Sequence, residues 1–147
     1  MSAKKKNIFQ KFAAFHRKLW SAKIIPHMVT NGARIFFYRL IGYKNINKKC
    51  FIGMRCYLDD LEPKLLTIEE GAEISYGVFF ACHGKGQRHY PITIKKNAYI
   101  GMHSTIISTK QEGLIIGESS VVGAGSLVNK TIPDNETWAG NPAKKID

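Results

Sequence analysis

Large aliphatic or aromatic residues return every six positions through most of this 147-residue chain, and that period constrains the fold more than any other feature. They form four groups of three: Ile46, Ile52, Leu58; Ile68, Ile74, Phe80; Ile94, Ile100, Ile106; and Ile116, Val122, Val128. A period of six matches neither the turn of a helix nor the two-residue alternation of an ordinary strand. It matches a solenoid of short flat strands with a corner every six residues, three strands making one triangular turn. Successive turns then stack as parallel strands about 4.8 Å apart, with each anchor pointing into the prism. Small residues tend to sit four positions after an anchor, at Cys50, Cys56, Ala72, Val78, Ala98, Ser104, Ser120 and Ser126. They are expected to face inward near the corners. Gly53, Gly101, Gly117 and Gly123 directly follow an anchor, where they are expected to supply the backbone angles of the corners.

The breaks are as regular as the repeats. Within a group the step is six. Between groups it is 10, 14 and 10, so 4, 8 and 4 residues are inserted, each time after the third anchor. All three insertions should therefore project from one edge of the prism. The longest contains Cys82-His83-Gly84-Lys85-Gly86-Gln87-Arg88-His89-Tyr90-Pro91 and is the richest in chemistry. Function tends to collect on loops held by a rigid scaffold.

Residues 1–45 lack the hexad period and are set apart as a basic helical arm or cap; residues 46–147 form the solenoid. Ile8, Phe9, Phe12, Phe15, Leu19 and Trp20 recur at helical spacing, which predicts an amphipathic helix over Ile8 to Trp20. A second helix is expected from Met28 to Ile41, ended by Gly42. Charge divides along the same line. Residues 1–58 hold 13 Lys or Arg and no acid, whereas residues 59–147 hold 9 bases and 11 acids. The arm therefore suits an anionic partner, and residues 1–22 are a candidate for peripheral contact with an anionic membrane. Capping of the open end of the solenoid is the structural reading of the same helices. No apolar run approaches the roughly 18 residues that cross a bilayer, and the N-terminus lacks the apolar core of a secretory signal. The expected location is cytoplasmic, with a peripheral position at the inner face of the membrane as a variant. The three cysteines, Cys50, Cys56 and Cys82, are odd in number, which argues against a disulfide framework. Nothing supports nucleic-acid readout.

The stretch PITIKKNAYIGMHSTIIS, followed by LIIGESSVVGAGSLVNKTIPDNETWAGNPAKKI, resembles the C-terminal half of the hexapeptide-repeat acyltransferases. It is most similar to sugar O-acetyltransferases of the galactoside and maltose kind. The match covers about residues 46–147. The resemblance implies an all-β fold, a left-handed parallel β-helix of about four coils with N-terminal helical segments. It also implies a homotrimer with active sites in clefts between subunits, acetyl-CoA as acyl donor and no metal.

Acyl transfer to a hydroxyl needs a base beside the attacking oxygen and a donor for the developing oxyanion. Imidazole suits the first role. The resemblance places His83 as that base, by its position ahead of the PITI strand, and implies direct transfer in a ternary complex. It places the coenzyme against Met102, where relatives often have Ser, and Ala124. It also places Asn129, Lys130 and Lys144 near the nucleotide end. Tyr99 stands where relatives commonly have Trp, beside the acyl group. Asp59 and Asp60, at the first insertion, could orient sugar hydroxyls or His83, or could be turn residues. His89 is a possible substrate contact. The acceptor is expected to be a sugar or polysaccharide precursor. Two alternatives remain: a zinc protein of the γ-carbonic anhydrase type using His83, His89 and His103, and a non-enzymatic basic module for a membrane surface. Cys82, adjacent to His83, invites a nucleophile reading that the family chemistry does not use.

Overall fold

The computed structural model describes residues 8–83 and 88–146. The first seven residues of the basic arm, the middle of the longest insertion and Asp147 lie outside the described residues. The chain enters through α1 (Ile8–Leu19) and α2 (Asn31–Leu40), joined by tight helical turns through Trp20–His27. The first hexad group follows, carrying β1 (Phe51–Ile52). The next turn is β2 (Leu66–Ile68), β3 (Glu73–Ile74) and β4 (Phe79–Ala81). It is followed by β5 (Ile92–Ile94), β6 (Tyr99–Ile100) and β7 (Thr105–Ile107), then by β8 (Leu114–Ile116), β9 (Val121–Val122) and β10 (Leu127–Val128). A terminal hairpin of β11 (Thr137–Gly140) and β12 (Ala143–Lys145) ends the solenoid.

The strands stack into three faces: β2-β5-β8, then β1-β3-β6-β9-β11-β12, then β4-β7-β10. Every pair except the final hairpin is parallel. The register aligns equivalent anchors: Ile68 with Ile94, Ile74 with Ile100, Phe80 with Ile106. Three turns have strands on all three faces. The first hexad group pairs through β1 and through isolated bridges at Ile46 and Tyr57, so the coil count falls to about three complete turns.

All twelve anchors are buried, Val128 at 1% exposure and the rest at none. The eight small residues that follow them are buried too. One expectation is corrected. The glycines after the anchors do not serve corner dihedral angles: a Cβ on Gly101 would lie 2.5 Å from the backbone N of Ala124, and one on Gly117 would lie 2.4 Å from the carbonyl carbon of Pro133. Close approach of the next turn excludes a side chain there. Positive φ falls three positions after an anchor, at Arg55, Gly77, His103 and Gly125 on one edge of the prism and at Gly71, Asn97 and Ser119 on another.

α2 covers the exposed edge of β1. The Asn31 side chain donates to the carbonyl of Cys50 (3.0 Å) and accepts from the amide of Ile52 (2.9 Å). Arg34, 2% exposed, donates to the carbonyls of Ile52, Met28 and Val29. These side chains supply the pairing that another strand would have given, which removes an edge open to aggregation.

Candidate active site

The three insertions emerge at one edge, between the β4-β7-β10 face and the β2-β5-β8 face. Asp59 stands at the start of the first insertion and His83 at the start of the second. Stacking brings them together: His83 Nδ1 lies 2.5 Å from Asp59 Oδ2. The carboxylate has no exposure, while the imidazole is 36% exposed. Asp59 is held as an acceptor from three sides. Oδ2 also receives the amide of Cys82 at 2.7 Å, and Oδ1 receives the amide of Leu61 at 3.0 Å. Three donors surround the carboxylate, and the tautomer that completes the set carries its hydrogen on Nδ1 of His83. Nε2 then carries the free lone pair, the arrangement a general base needs.

Further hydrogen bonds hold the backbone on both sides of this pair. The Tyr43 hydroxyl, fully buried, lies 2.9 Å from the carbonyl of Leu58 and 3.1 Å from that of Asp59, to which it donates. The Tyr90 amide donates to the Cys82 carbonyl at 2.7 Å, and His83 pairs with His89 across the base of the loop. Burial and the nearby Asp59 charge push the Cys82 thiol up to about 12. It is therefore a poor source of thiolate at neutral pH.

The other expected residues are distributed around the prism. Asp60 turns away from His83: the Tyr57 hydroxyl donates to its carboxylate at 3.3 Å. His89 lies beside His83, their ring centroids 6.5 Å apart. Its Nδ1 is buried with no hydrogen-bond partner among the described residues. Asn129 and Lys130 share the edge of His83, two turns further along, where they line a cavity of about 250 Å³ with Thr109, Lys110 and Glu112. Met102 and Ala124 occupy a different edge, one turn apart and linked through the Gly125 amide, which donates to the Met102 carbonyl at 2.8 Å. Tyr99 lies on the face containing β6, with Ser75 Oγ donating to its hydroxyl at 3.1 Å. Lys144 is exposed on β12. The chain therefore brings together His83, Asp59 and His89, and holds Met102, Ala124 and Tyr99 elsewhere. His103 is also on the edge of Met102, packed edge-on against Tyr76 at 5.4 Å. The three histidines do not converge within the chain, and no cluster of three metal-ligating side chains occurs among the described residues.

No family model matches the chain. Over 109 residues, 69% of its length, it is 31% identical to a Staphylococcus aureus (strain MRSA252) protein named provisionally as an acetyltransferase, 53% of which is covered. Over 57 residues, 39% of its length, it is 47% identical to galactoside O-acetyltransferase of Escherichia coli (strain K12), 26% of which is covered. It also superposes on the hexapeptide-repeat-containing acetyltransferase from Vibrio cholerae O1 biovar eltor, in the crystal structure complexed with acetyl coenzyme A. The TM-score is 0.68 at 23% identity, over 92% of this chain and 85% of that one, a likeness of fold. The chain is similar in sequence to proteins named as acetyltransferases and shares the hexapeptide-repeat fold. It spans about half the length or less of these two curated relatives.

Within this hexapeptide-repeat frame, two contributors to the site escape sequence reading. Tyr43 precedes the first anchor and obeys no period, yet its hydroxyl holds the backbone at Asp59. Arg17, on α1, donates through Nε to the carbonyl of Asp60 at 3.2 Å and through Nη2 to that of Leu61 at 3.4 Å. Neither carries a motif. Only the absence of acids before Asp59 hinted that basic residues of the arm would seek acceptors at this corner.

Proposed function

We propose that the chain is an acetyltransferase that moves an acetyl group from acetyl-CoA to a hydroxyl of a sugar or polysaccharide precursor. The observation that carries this reading is the buried Asp59 carboxylate against Nδ1 of the half-exposed His83. In this mechanism Nε2 of His83 takes the proton of the acceptor hydroxyl as its oxygen attacks the thioester carbonyl. The new C–O bond forms, the C–S bond breaks, and the departing sulfur regains a proton from the imidazolium. Asp59 holds the imidazole in place and offsets its transient positive charge. Cys82 takes no part, because its thiol stays protonated.

Exposed Met102 and Ala124, stacked along one edge, offer the outward-facing backbone that a pantetheine arm requires, and Lys130, on the edge of His83, offers a charge for phosphates reaching across from a neighbouring copy. His83 stands on another edge, so a cleft between copies is the arrangement that can bring both sets to one substrate. We accordingly read the assembly as a homotrimer. A sugar acceptor rests on the likeness to the galactoside enzyme.

The test is consumption of acetyl-CoA by the purified chain against a panel of sugars, amino sugars and other hydroxyl or amine acceptors. Transfer to a sugar hydroxyl that disappears in His83→Ala is the expected result. Transfer that survives in His83→Ala refutes the assigned base.

A further inference from the structure

α1 is mounted with its apolar stripe facing outward. Ile8, Phe12, Phe15 and Leu19 follow one another at spacings of four, three and four, which places them along one helix face. All four are exposed, Phe12 at 61% and Phe15 at 64%. Arg17, opposite that stripe, ties the helix to the carbonyls of Asp60 and Leu61. Lys11 and Lys18 flank the stripe on one side, both exposed. α2 adds Phe36 and Leu40, exposed at 61% and 63%. They line a cavity of about 540 Å³ together with Arg39, Lys44 and Lys48, an apolar surface with a cationic rim.

A helix normally buries such a stripe against its own core. Outward-facing aromatics bordered by lysines are instead the pattern of a helix lying in the plane of a membrane interface. The rings enter the acyl boundary and the lysines reach up to the headgroups. No helix among the described residues is long and apolar enough to cross a membrane. Charge selects among occupants. The bases that border these faces, Lys11 and Lys18 on α1 and Arg39, Lys44 and Lys48 at the α2 cavity, have no acid among residues 1–58 to offset them, so pairing this face with the same face of a second copy would oppose like charges. An anionic bilayer presents the opposite sign to these five.

We propose that α1 and α2 dock the protein on anionic lipid bilayers. Arg17 fastens α1 to the residues immediately after Asp59. Docking therefore sets the edge that carries Asp59 and His83 beside the membrane surface, where an acceptor bearing a lipid anchor would be presented.

The test is co-sedimentation of the full chain with vesicles of phosphatidylcholine alone and of phosphatidylcholine with about one-third phosphatidylglycerol. The comparison is a variant carrying Phe12→Ser, Phe15→Ser and Leu19→Ser. The exposed positions leave the fold intact, which circular dichroism verifies. Binding to the anionic vesicles only, weakened by salt and lowered about tenfold or more in the variant, supports the proposal. Absence of binding to anionic vesicles overturns it, as does binding that the triple variant leaves unchanged. A variant that changes oligomeric mass in light scattering also overturns it, by making the stripe a subunit contact. None of these readouts depends on enzymatic turnover.

Discussion

The carboxylate of Asp59 and the imidazole of His83, separated by 24 positions in the chain, meet at 2.5 Å because the first two insertions leave the same edge of a stacked prism. The carboxylate is a triple acceptor, and an amide in its place must turn a donor toward one of its three donor partners. Asp59→Asn is expected to lower kcat by about 10²-fold or more with the donor KM largely unchanged, because Nδ1 of His83 loses its charged acceptor. It should also destabilise the fold by about 1–3 kcal/mol. His83→Ala should cost about 10²- to 10⁴-fold in kcat, with coenzyme affinity kept. Steady-state kinetics with coenzyme binding by calorimetry separate the two. A variant at Asp59 that raises only KM would assign it to substrate contact.

Cys82 supplies a second test. Cys82→Ala should retain activity, and the native thiols should resist a thiol reagent at pH 8 until denaturant is added. All three are buried, and burial raises Cys50 and Cys56 to about 11 and Cys82 to about 12. The sign of the linked pH effect follows. Below the ordinary thiol value of 9.0, folded and unfolded chains both hold these protons. Above it the unfolded chain releases them first, so stability falls as pH rises from 9 toward 11 and 12. Thermal melts from pH 8 to 10.5 should show a falling Tm, with a shallower fall in Cys56→Ala.

The glycines divide by mechanism. Gly101→Ala drives a Cβ to 2.5 Å from backbone of the next turn and should cost about 1–3 kcal/mol. Gly125→Ala meets open space and pays only for its φ of +69°, about 1 kcal/mol. Denaturant titration of both variants checks the order. A larger loss at Gly125 would show that dihedral strain, and not turn-to-turn contact, governs these corners.

Chelation separates the acyltransferase reading from a zinc enzyme. Turnover should be unchanged after treatment with a strong chelator and dialysis. Activity lost on chelation and restored by zinc would transfer the site to the His83, His89 and His103 reading.

Much of this is legible in the sequence. The hexads named every core anchor, from Ile46 to Val128, and the insertion lengths placed His83 and Asp59 on one edge. Helical spacing located α1 to within one residue at its end, whereas α2 begins three residues later than expected, at Asn31. The roles of the corner glycines differ from the expectation, because a residue that follows an anchor looks the same in sequence whether φ or a neighbouring backbone demands it. The capping of β1 by Asn31 and Arg34 left no trace in the pattern, since a polar side chain on a helix reads as solvent-facing by default.

A six-residue period is a local property repeated along the chain, so the residues alone determined the prism, its interior and its loop-bearing edge. Which of two adjacent aspartates turns toward the imidazole, and which way α1 presents its aromatic stripe, depended on how separate turns and the arm stack. Those choices rest on contacts across 24 to 44 residues of chain, a separation over which no periodicity carries information, and only the tertiary structure made them.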